Sequence, residues 1–296
     1  AIDLIKNKIA DLVDEPAIQE KIDQIIEDYL TPEHMDEIAE QAIEAITDAL
    51  KNTPYVFPFV PYAEIQRTKF PLLGDTINKT NQGMCCDGQY VYSYRPNSAN
   101  NIGAGSLDKF NMNGYVDQSI QNWTHERSNS IDLGHGNGLF YRKDNDRIYA
   151  TALFSGDPQL PDRRVFIVNP HTLQIEDTFE LDLALMGLCY NEKLKRWVGF
   201  SNEGGSYFLY WDEDFNLIDT QVVTQHLNNR VGIFADDDYI YLMSTGSYGT
   251  FVAGQYSEAR ISVYDWYKNY RGDIVFHNGE ELEAMAWTGK QFIVSF

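Results

Sequence analysis

Positive charge is scarce in this sequence. Its 23 Lys and Arg residues stand against 44 Asp and Glu residues, which gives a formal net charge of −21 over 296 residues. A surface this acidic repels phosphate backbones, so nucleic acid is excluded as a general partner. The sequence also lacks any apolar run near the roughly 20 residues that span a bilayer, and we expect no membrane insertion.

Cysteine and recognisable catalytic motifs are equally sparse. The only thiols are Cys85, Cys86 and Cys189, and an odd number with two adjacent residues is a poor disulfide framework. All three fall in predicted strands, which favours buried, unreactive thiols. A nucleophile elbow, a phosphate-binding loop, a zinc-binding HExxH helix and paired CxxC motifs are all absent. The sequence therefore predicts no cofactor and leaves the metal content open.

A repeated hairpin pattern is what the sequence does contain. Its clearest copy lies in residues 134–151, where a small residue and a short apolar run precede a polar turn and a run of β-branched and aromatic residues. The copies begin at residues 83, 136, 187, 232 and 284, at steps of 53, 51, 45 and 52 residues. A strand-only period of roughly 40–50 residues is typical of β-propeller blades. Five copies predict five blades.

A second strand pair follows most copies and predicts the outer half of each blade. These pairs fall within residues 107–123, 164–181, 206–223 and 260–277. The last hairpin, residues 282–296, has no pair after it, whereas residues 63–78 form a candidate pair before the first hairpin. We therefore expect the two ends of the propeller, residues 63–296, to share one closing blade.

The N-terminal region has a different pattern. Residues 1–52 carry three apolar stripes at spacings of three and four, with Pro16 and Pro32 at the predicted starts of new helices. Each helix is too short to be stable alone, so the stripes pack either within the chain or against sister chains. We interpret this region as an α-helical stem for oligomerisation, followed by an extended, proline-containing linker at 53–62.

Polar residues near the first strand of each repeat are candidate binding residues, because those strands line the channel of a propeller, and aromatic residues in the blade-connecting loops are further candidates. Four polar residues could supply hydrogen bonds to a ligand: His135, Asn137, Arg230 and Glu281. Four aromatic residues could supply stacking platforms for a sugar: Trp123, Tyr207, Tyr248 and Tyr256. Three further carboxylates, Asp87, Glu203 and Glu283, would allow a metal site or acid–base hydrolysis. Arg127 is a local positive charge that could face an anionic polymer.

Two segments carry a resemblance to a known family. Gly134-His135-Gly136-Asn137 with its hairpin, and Glu281-Leu282-Glu283-Ala284 before the last strands, resemble the propeller of receptor-binding proteins from the tail tips of phages that infect Gram-positive bacteria. The resemblance covers about residues 63–296. It implies a virion protein, assembled in the host cytoplasm as a homotrimer, whose N-terminal helices attach to phage tail or baseplate proteins. It also implies binding to a host cell-wall glycopolymer such as wall teichoic acid, with no catalytic residues.

Two alternatives fit the same pattern. One is a propeller glycosidase or depolymerase that acts on surface polysaccharide. The other is a secreted adhesion domain of the olfactomedin type, which is also five-bladed but is expected to contain a disulfide. Larger members of the phage family have domains after the propeller, whereas this sequence stops at Phe296.

Overall fold

The computed structural model of the protein describes residues 82–96, 104–111, 125–155, 157–246, 258–277, 281–289 and 292–295. Within these residues the structure is built from β-strands and turns. The predicted helical stem (1–52), the linker (53–62) and the strand pair at 63–78 lie outside the described residues. Within the described ranges, no helix is long and apolar enough to cross a lipid bilayer.

Four sheets have four antiparallel strands each, and each sheet is a blade of a propeller arrangement. The first contains β1 (Gly83–Cys86), β2 (Tyr90–Pro96), β3 (Gly105–Asn111) and β4 (His125–Arg127). The second contains β5 (Gly138–Arg142), β6 (Arg147–Ser155), β7 (Asp157–Asn169) and β8 (Gln174–Glu180). The third contains β9 (Gly187–Asn191), β10 (Arg196–Ser201), β11 (Tyr207–Trp211) and β12 (Leu217–Val222). The fourth contains β13 (Asn229–Ala235), β14 (Tyr239–Gly246), β15 (Glu258–Asp265) and β16 (Tyr270–Phe276).

A fifth sheet has two described strands, β17 (Ala284–Trp287) and β18 (Phe292–Ser295). All five predicted hairpins therefore lie where the repeat pattern placed them. The first strands of the sheets are neighbours in a cycle, because β1 contacts β5, β5 contacts β9, β9 contacts β13, and β17 contacts both β13 and β1. The described part of the chain thus forms a closed ring of inner strands.

Small residues at the start of the inner strands explain how closely these strands approach. A Cβ atom on Gly138 would collide with the Cα atom of Gly187, and one on Gly187 would lie 2.9 Å from Ile233. A Cβ on Gly83 would likewise meet the carbonyl oxygen of Gly136. Backbone therefore packs against backbone around the channel, and only glycine or a similarly small residue fits there.

The turns that close the inner hairpins repeat one hydrogen-bonding device. Asp87 Oδ1 accepts from the amides of Gln89 and Tyr90 (2.7 and 2.6 Å), while its Oδ2 accepts from the hydroxyl of Tyr92 (2.7 Å). Asp236, the equivalent residue of the fourth blade, makes the same three bonds to the next residues in its turn. These aspartates shape the turns locally.

Apolar side chains fill the space between neighbouring blades. Trp197, which is fully buried, packs against Tyr149 and Tyr190 with ring centroids 4.7 and 4.8 Å apart. Cys85 and Cys189 are buried and Cys86 is half-buried, and none of the three forms a disulfide with another. Burial raises the pKa of Cys86 to about 11 and raises the pKa of the other two thiols well above the ordinary value. The predicted burial is confirmed for Cys85 and Cys189 but not for Cys86, and the disulfide expected of an olfactomedin-type domain does not form among these three residues.

Candidate functional site at one mouth of the channel

A cavity of about 330 Å³ opens at the end of the ring where the inner strands begin. Its wall comes from all five inner hairpins. The lining residues are Gln82, His135, Asn137, Leu153, Phe154, Met186, Asn202, Asn228, Asn229, Arg230, Val231, Glu281 and Glu283. Most of the wall is therefore polar, although it lies at the centre of a tightly packed ring.

Five of the lining residues occupy one equivalent position in the repeat. Each of them directly precedes the Gly or Ala residue at which an inner strand packs closely against its neighbours. These five residues are Gln82, Asn137, Met186, Val231 and Glu283. Because β17, β1 and β5 are consecutive around the ring, the three polar members are consecutive as well. The ring thus presents an oxygen-bearing side from Glu283 through Gln82 to Asn137, and an apolar side at the other two positions.

Within the part of the chain that the structure describes, three buried polar atoms of this wall have no hydrogen-bond partner: Oε1 of Gln82, Oδ1 of Asn137 and Nε of Arg230. The side chains of Gln82 and Asn137 belong to residues that are only 2% and 6% exposed. Most buried polar atoms in proteins are paired, and leaving one unpaired costs about 1–3 kcal/mol. Their concentration in one cavity indicates a place where a bound molecule, an ion or ordered water completes the hydrogen bonding.

Two acidic side chains enter the cavity from the segment before β17. Glu283 is only 4% exposed. Burial, together with the nearby negative charge of Glu281, raises the pKa of Glu283 to about 9. Glu281 is half-buried and accepts a hydrogen bond from the side-chain amide of Asn229. Among the described residues, no three His, Cys, Asp or Glu side chains come together as a metal-binding group.

Arg230 supplies the positive charge of the wall. Burial lowers the pKa of its guanidinium, and no carboxylate contributes to that shift. Its Nη1 donates to the carbonyl oxygen of Asn228 at 3.1 Å, whereas its Nε has no partner. The cavity therefore combines a carboxyl end and a guanidinium end that are not ion-paired with each other.

The glycines around His135 fix the position of its segment. Gly134 and Gly136 have positive φ angles of 67° and 71°. A Cβ on Gly136 would collide with the ring of Tyr94, and the His135 amide donates to the carbonyl oxygens of Ala152 and Phe154 at 2.9 Å each. The backbone therefore lies very close to its neighbours at these glycines. It presents the half-buried His135 side chain to the cavity, beside Phe154 with ring centroids 5.8 Å apart.

The four polar residues proposed from the sequence, His135, Asn137, Arg230 and Glu281, all line this one cavity. Tyr207 is not among its lining residues, since it lies on β11 and its hydroxyl donates to the carbonyl oxygen of Gly204. The other three aromatic candidates, Trp123, Tyr248 and Tyr256, lie outside the described residues.

Three charged residues that the sequence offered have other roles. Asp87 directly follows β1 at the far end of the channel, where it shapes a turn. Glu203 accepts from the Ala184 amide and pairs with Arg163. Arg127 pairs with the fully buried Asp108, so its charge is largely satisfied within the first blade.

Sequence reasoning missed Gln82, Asn202, Asn228 and Asn229 as cavity residues. For Gln82 a signal was present, because it stands one residue before the small residue of its repeat, as Asn137 and Glu283 do. Asn202, Asn228 and Asn229 do not occupy this repeated position, so no sequence pattern identifies them. Asn202 follows the second strand of its blade, and the other two precede or begin β13.

Comparisons with known proteins assign no function to the chain. No family model matches the chain, and no curated protein matches it. Among solved structures, the glutaminyl cyclase of Myxococcus xanthus is similar at 15% identity and a TM-score of 0.48, over 74% of this chain and 86% of that one. The WD40 repeats of RRP9 are similar at 11% identity and a TM-score of 0.38, over 71% and 55% of the two chains. Hydrazine synthase of Kuenenia stuttgartiensis is similar at 12% identity and a TM-score of 0.39, over 72% and 60%.

Proposed function

We propose that this protein is a binding module that holds a surface saccharide at the mouth of its propeller channel. The observation that supports this is the convergence of His135, Asn137, Arg230 and Glu281 on one cavity, with unpartnered buried polar atoms in its wall. Saccharide hydroxyls both donate and accept hydrogen bonds. One polyol can therefore serve the amide oxygen of Asn137 and the Nε donor of Arg230 together.

The biological setting that we propose follows from the sequence resemblance. The protein would act as a receptor-binding protein of a phage tail, a homotrimer that adheres to a cell-wall glycopolymer of a Gram-positive host. Residues 1–52 would join the subunits and attach the head to the tail or baseplate. The negative charge of the chain disfavours a bare polyphosphate, so we expect the head to recognise sugar substituents of the polymer.

We further propose that the head has five blades. The supporting observation is that the two-stranded sheet of β17 and β18 lies between the first and fourth blades, because β17 contacts both β1 and β13. In this proposal, residues 63–78 supply the two outer strands that this sheet lacks among the described residues.

Binding of the full-length chain to purified host walls tests the saccharide proposal. We compare the wild type with Arg230→Gln and His135→Ala, which change cavity residues, and with Lys143→Gln, which removes one positive charge from an exposed turn outside the cavity. Weaker binding of the two cavity variants, with Lys143→Gln unchanged and all melting curves alike, supports the proposal. Wild-type binding by both folded cavity variants would place the saccharide site elsewhere.

A propeller glycosidase is the second candidate function. It is favoured by one observation, the carboxyl of Glu283 with its pKa raised to about 9 beside the carboxylate of Glu281. Two carboxyl groups whose pKa values are driven apart are the usual pattern of an acid and a base in glycoside hydrolysis. Release of oligosaccharide from the same walls distinguishes this candidate from simple adhesion.

A further inference from the structure

The oxygen-bearing side of the channel mouth has the composition of a calcium site. Glu283, Gln82 and Asn137 stand at equivalent positions of three consecutive inner strands, and Glu281 is two residues from Glu283. All four line one cavity. Their side chains offer two carboxylates and two amide oxygens, the hard oxygen donors that Ca²⁺ prefers.

Two independent observations point to a positively charged occupant. The first is that Oε1 of Gln82 and Oδ1 of Asn137, both buried acceptors, receive no hydrogen bond from the residues that the structure describes. The second is that the almost fully buried carboxyl group of Glu283 lines the same cavity as the carboxyl group of Glu281. One cation can accept oxygen ligands from both amides and both carboxyl groups at once.

Arg230 does not fill this need, although it lines the same cavity. No carboxylate affects its pKa, and its Nη1 is bound to the carbonyl oxygen of Asn228. Among the described contacts, Arg230 therefore makes no ion pair with either glutamate.

We propose that the channel mouth binds one Ca²⁺ ion through Glu281, Glu283, Gln82 and Asn137. Ca²⁺ takes about 6–8 oxygen ligands, so water or hydroxyl groups of a bound molecule complete its shell. A site that combines amide and carboxylate oxygens from separate strands suits the flexible coordination of Ca²⁺ better than the strict octahedron of Mg²⁺. The ion would link three inner strands whose contacts are otherwise mostly backbone packing. This proposal is independent of whether the mouth also binds a saccharide.

Calorimetric titration of the full-length, EDTA-treated chain with CaCl₂ tests the proposal, together with melting curves in Ca²⁺ and in EDTA. We expect one ion per chain and a higher melting temperature in Ca²⁺. Glu283→Gln removes one carboxylate with almost no change of shape and should weaken binding by about tenfold or more. Gln82→Glu adds a carboxylate and should tighten binding by a similar factor of about ten, a gain that destabilisation cannot mimic.

Glu192→Gln is the matched control, because Glu192 lies on the turn after β9, at the far end of the channel. Its affinity should equal that of the wild type. The proposal is overturned if the wild type neither binds Ca²⁺ nor melts at a higher temperature in it. It is also overturned if Glu283→Gln and Glu192→Gln bind equally well, since the ion would then lie on other surface acids.

Discussion

The side-chain amide of Asn137 donates a hydrogen bond of 3.0 Å to the carbonyl oxygen of Val231. The two residues belong to the second and fourth blades, and β9 of the third blade lies between their strands in the ring. The bond therefore crosses the channel just below the mouth. It fixes the orientation of Asn137, whose Oδ1 is left as an unpartnered acceptor in the cavity wall.

Removing the last hairpin should open the ring. The β17–β18 sheet buries Met285 against the fourth blade and packs Ala284, Ala286 and Ile293 against Met84 and Val91 of the first. A chain truncated after Leu282 exposes both surfaces, so we expect the head to lose cooperative unfolding or to melt at a much lower temperature. Calorimetry of the truncated and full-length chains checks this. An unchanged melting curve would refute ring closure.

Stability should fall as pH rises in the absence of metal. The pKa of Glu283 is raised from 4.5 to about 9 in the folded protein. Between these values the folded state keeps a proton that the unfolded state has released. Its contribution to stability is therefore complete below pH 4.5 and is lost as pH rises through about 9. The slope from this single group is at most about 1.4 kcal/mol per pH unit.

Urea unfolding in EDTA at several pH values measures this slope. Glu283→Gln cannot release the proton, so its stability should depend less on pH than that of the wild type, and Glu192→Gln should follow the wild type. Parallel curves for all three proteins would mean that Glu283 does not titrate in this way.

Substituting Gly136 and Gly88 should separate the cost of close packing from the cost of a positive φ angle. Both have positive φ angles, 71° and 94°, but a Cβ on Gly136 would collide with Tyr94, whereas one on Gly88 would meet nothing within 4 Å. Gly88→Ala should cost only about 1 kcal/mol for the left-handed conformation. Gly136→Ala adds overpacking and should cost about 2–4 kcal/mol in all. Equal losses in chemical unfolding would contradict the close packing of the His135 segment.

We expect no hydrolysis of wall polymer. The cavity, of about 330 Å³, lies at the small end of ligand sites. It therefore suits a terminal sugar or a substituent better than a polymer threaded past two carboxyl groups. Chromatography of host walls incubated with the protein should show no released oligosaccharide. Release that disappears in Glu281→Gln or Glu283→Gln would favour the glycosidase instead.

The oligomeric state should depend on the N-terminal region. The three apolar stripes in residues 1–52 belong to helices too short to be stable alone, so we expect them to hold a trimer. Light scattering should give a trimeric mass for the full-length chain and a lower mass for a chain that begins at Pro54. A monomeric full-length chain at micromolar concentration would exclude this arrangement.

The sequence alone determined the repeating hairpins and their turns, because both depend on interactions between residues close in the chain. Strand alternation needs only a few residues, and Asp87 and Asp236 bond to groups within five positions of themselves. The repeat pattern also located the first strand of each blade, near which polar candidates were sought. For these reasons four polar residues of the cavity could be named in advance.

Only the tertiary structure decided how these residues combine. Asn137 and Val231 are 94 positions apart, and no local sequence pattern indicates that a hydrogen bond joins them across the channel. The burial of Glu283 beside Glu281 depends on packing by several blades, and the repeat pattern alone does not distinguish Glu283 from Asp87 and Glu203. Gln82 became a wall residue because ring closure sets it between Glu283 and Asn137. The burial of Glu283 and the unpaired acceptors of Gln82 and Asn137 both arise from this long-range packing. They therefore cannot be predicted from the order of residue types along the chain.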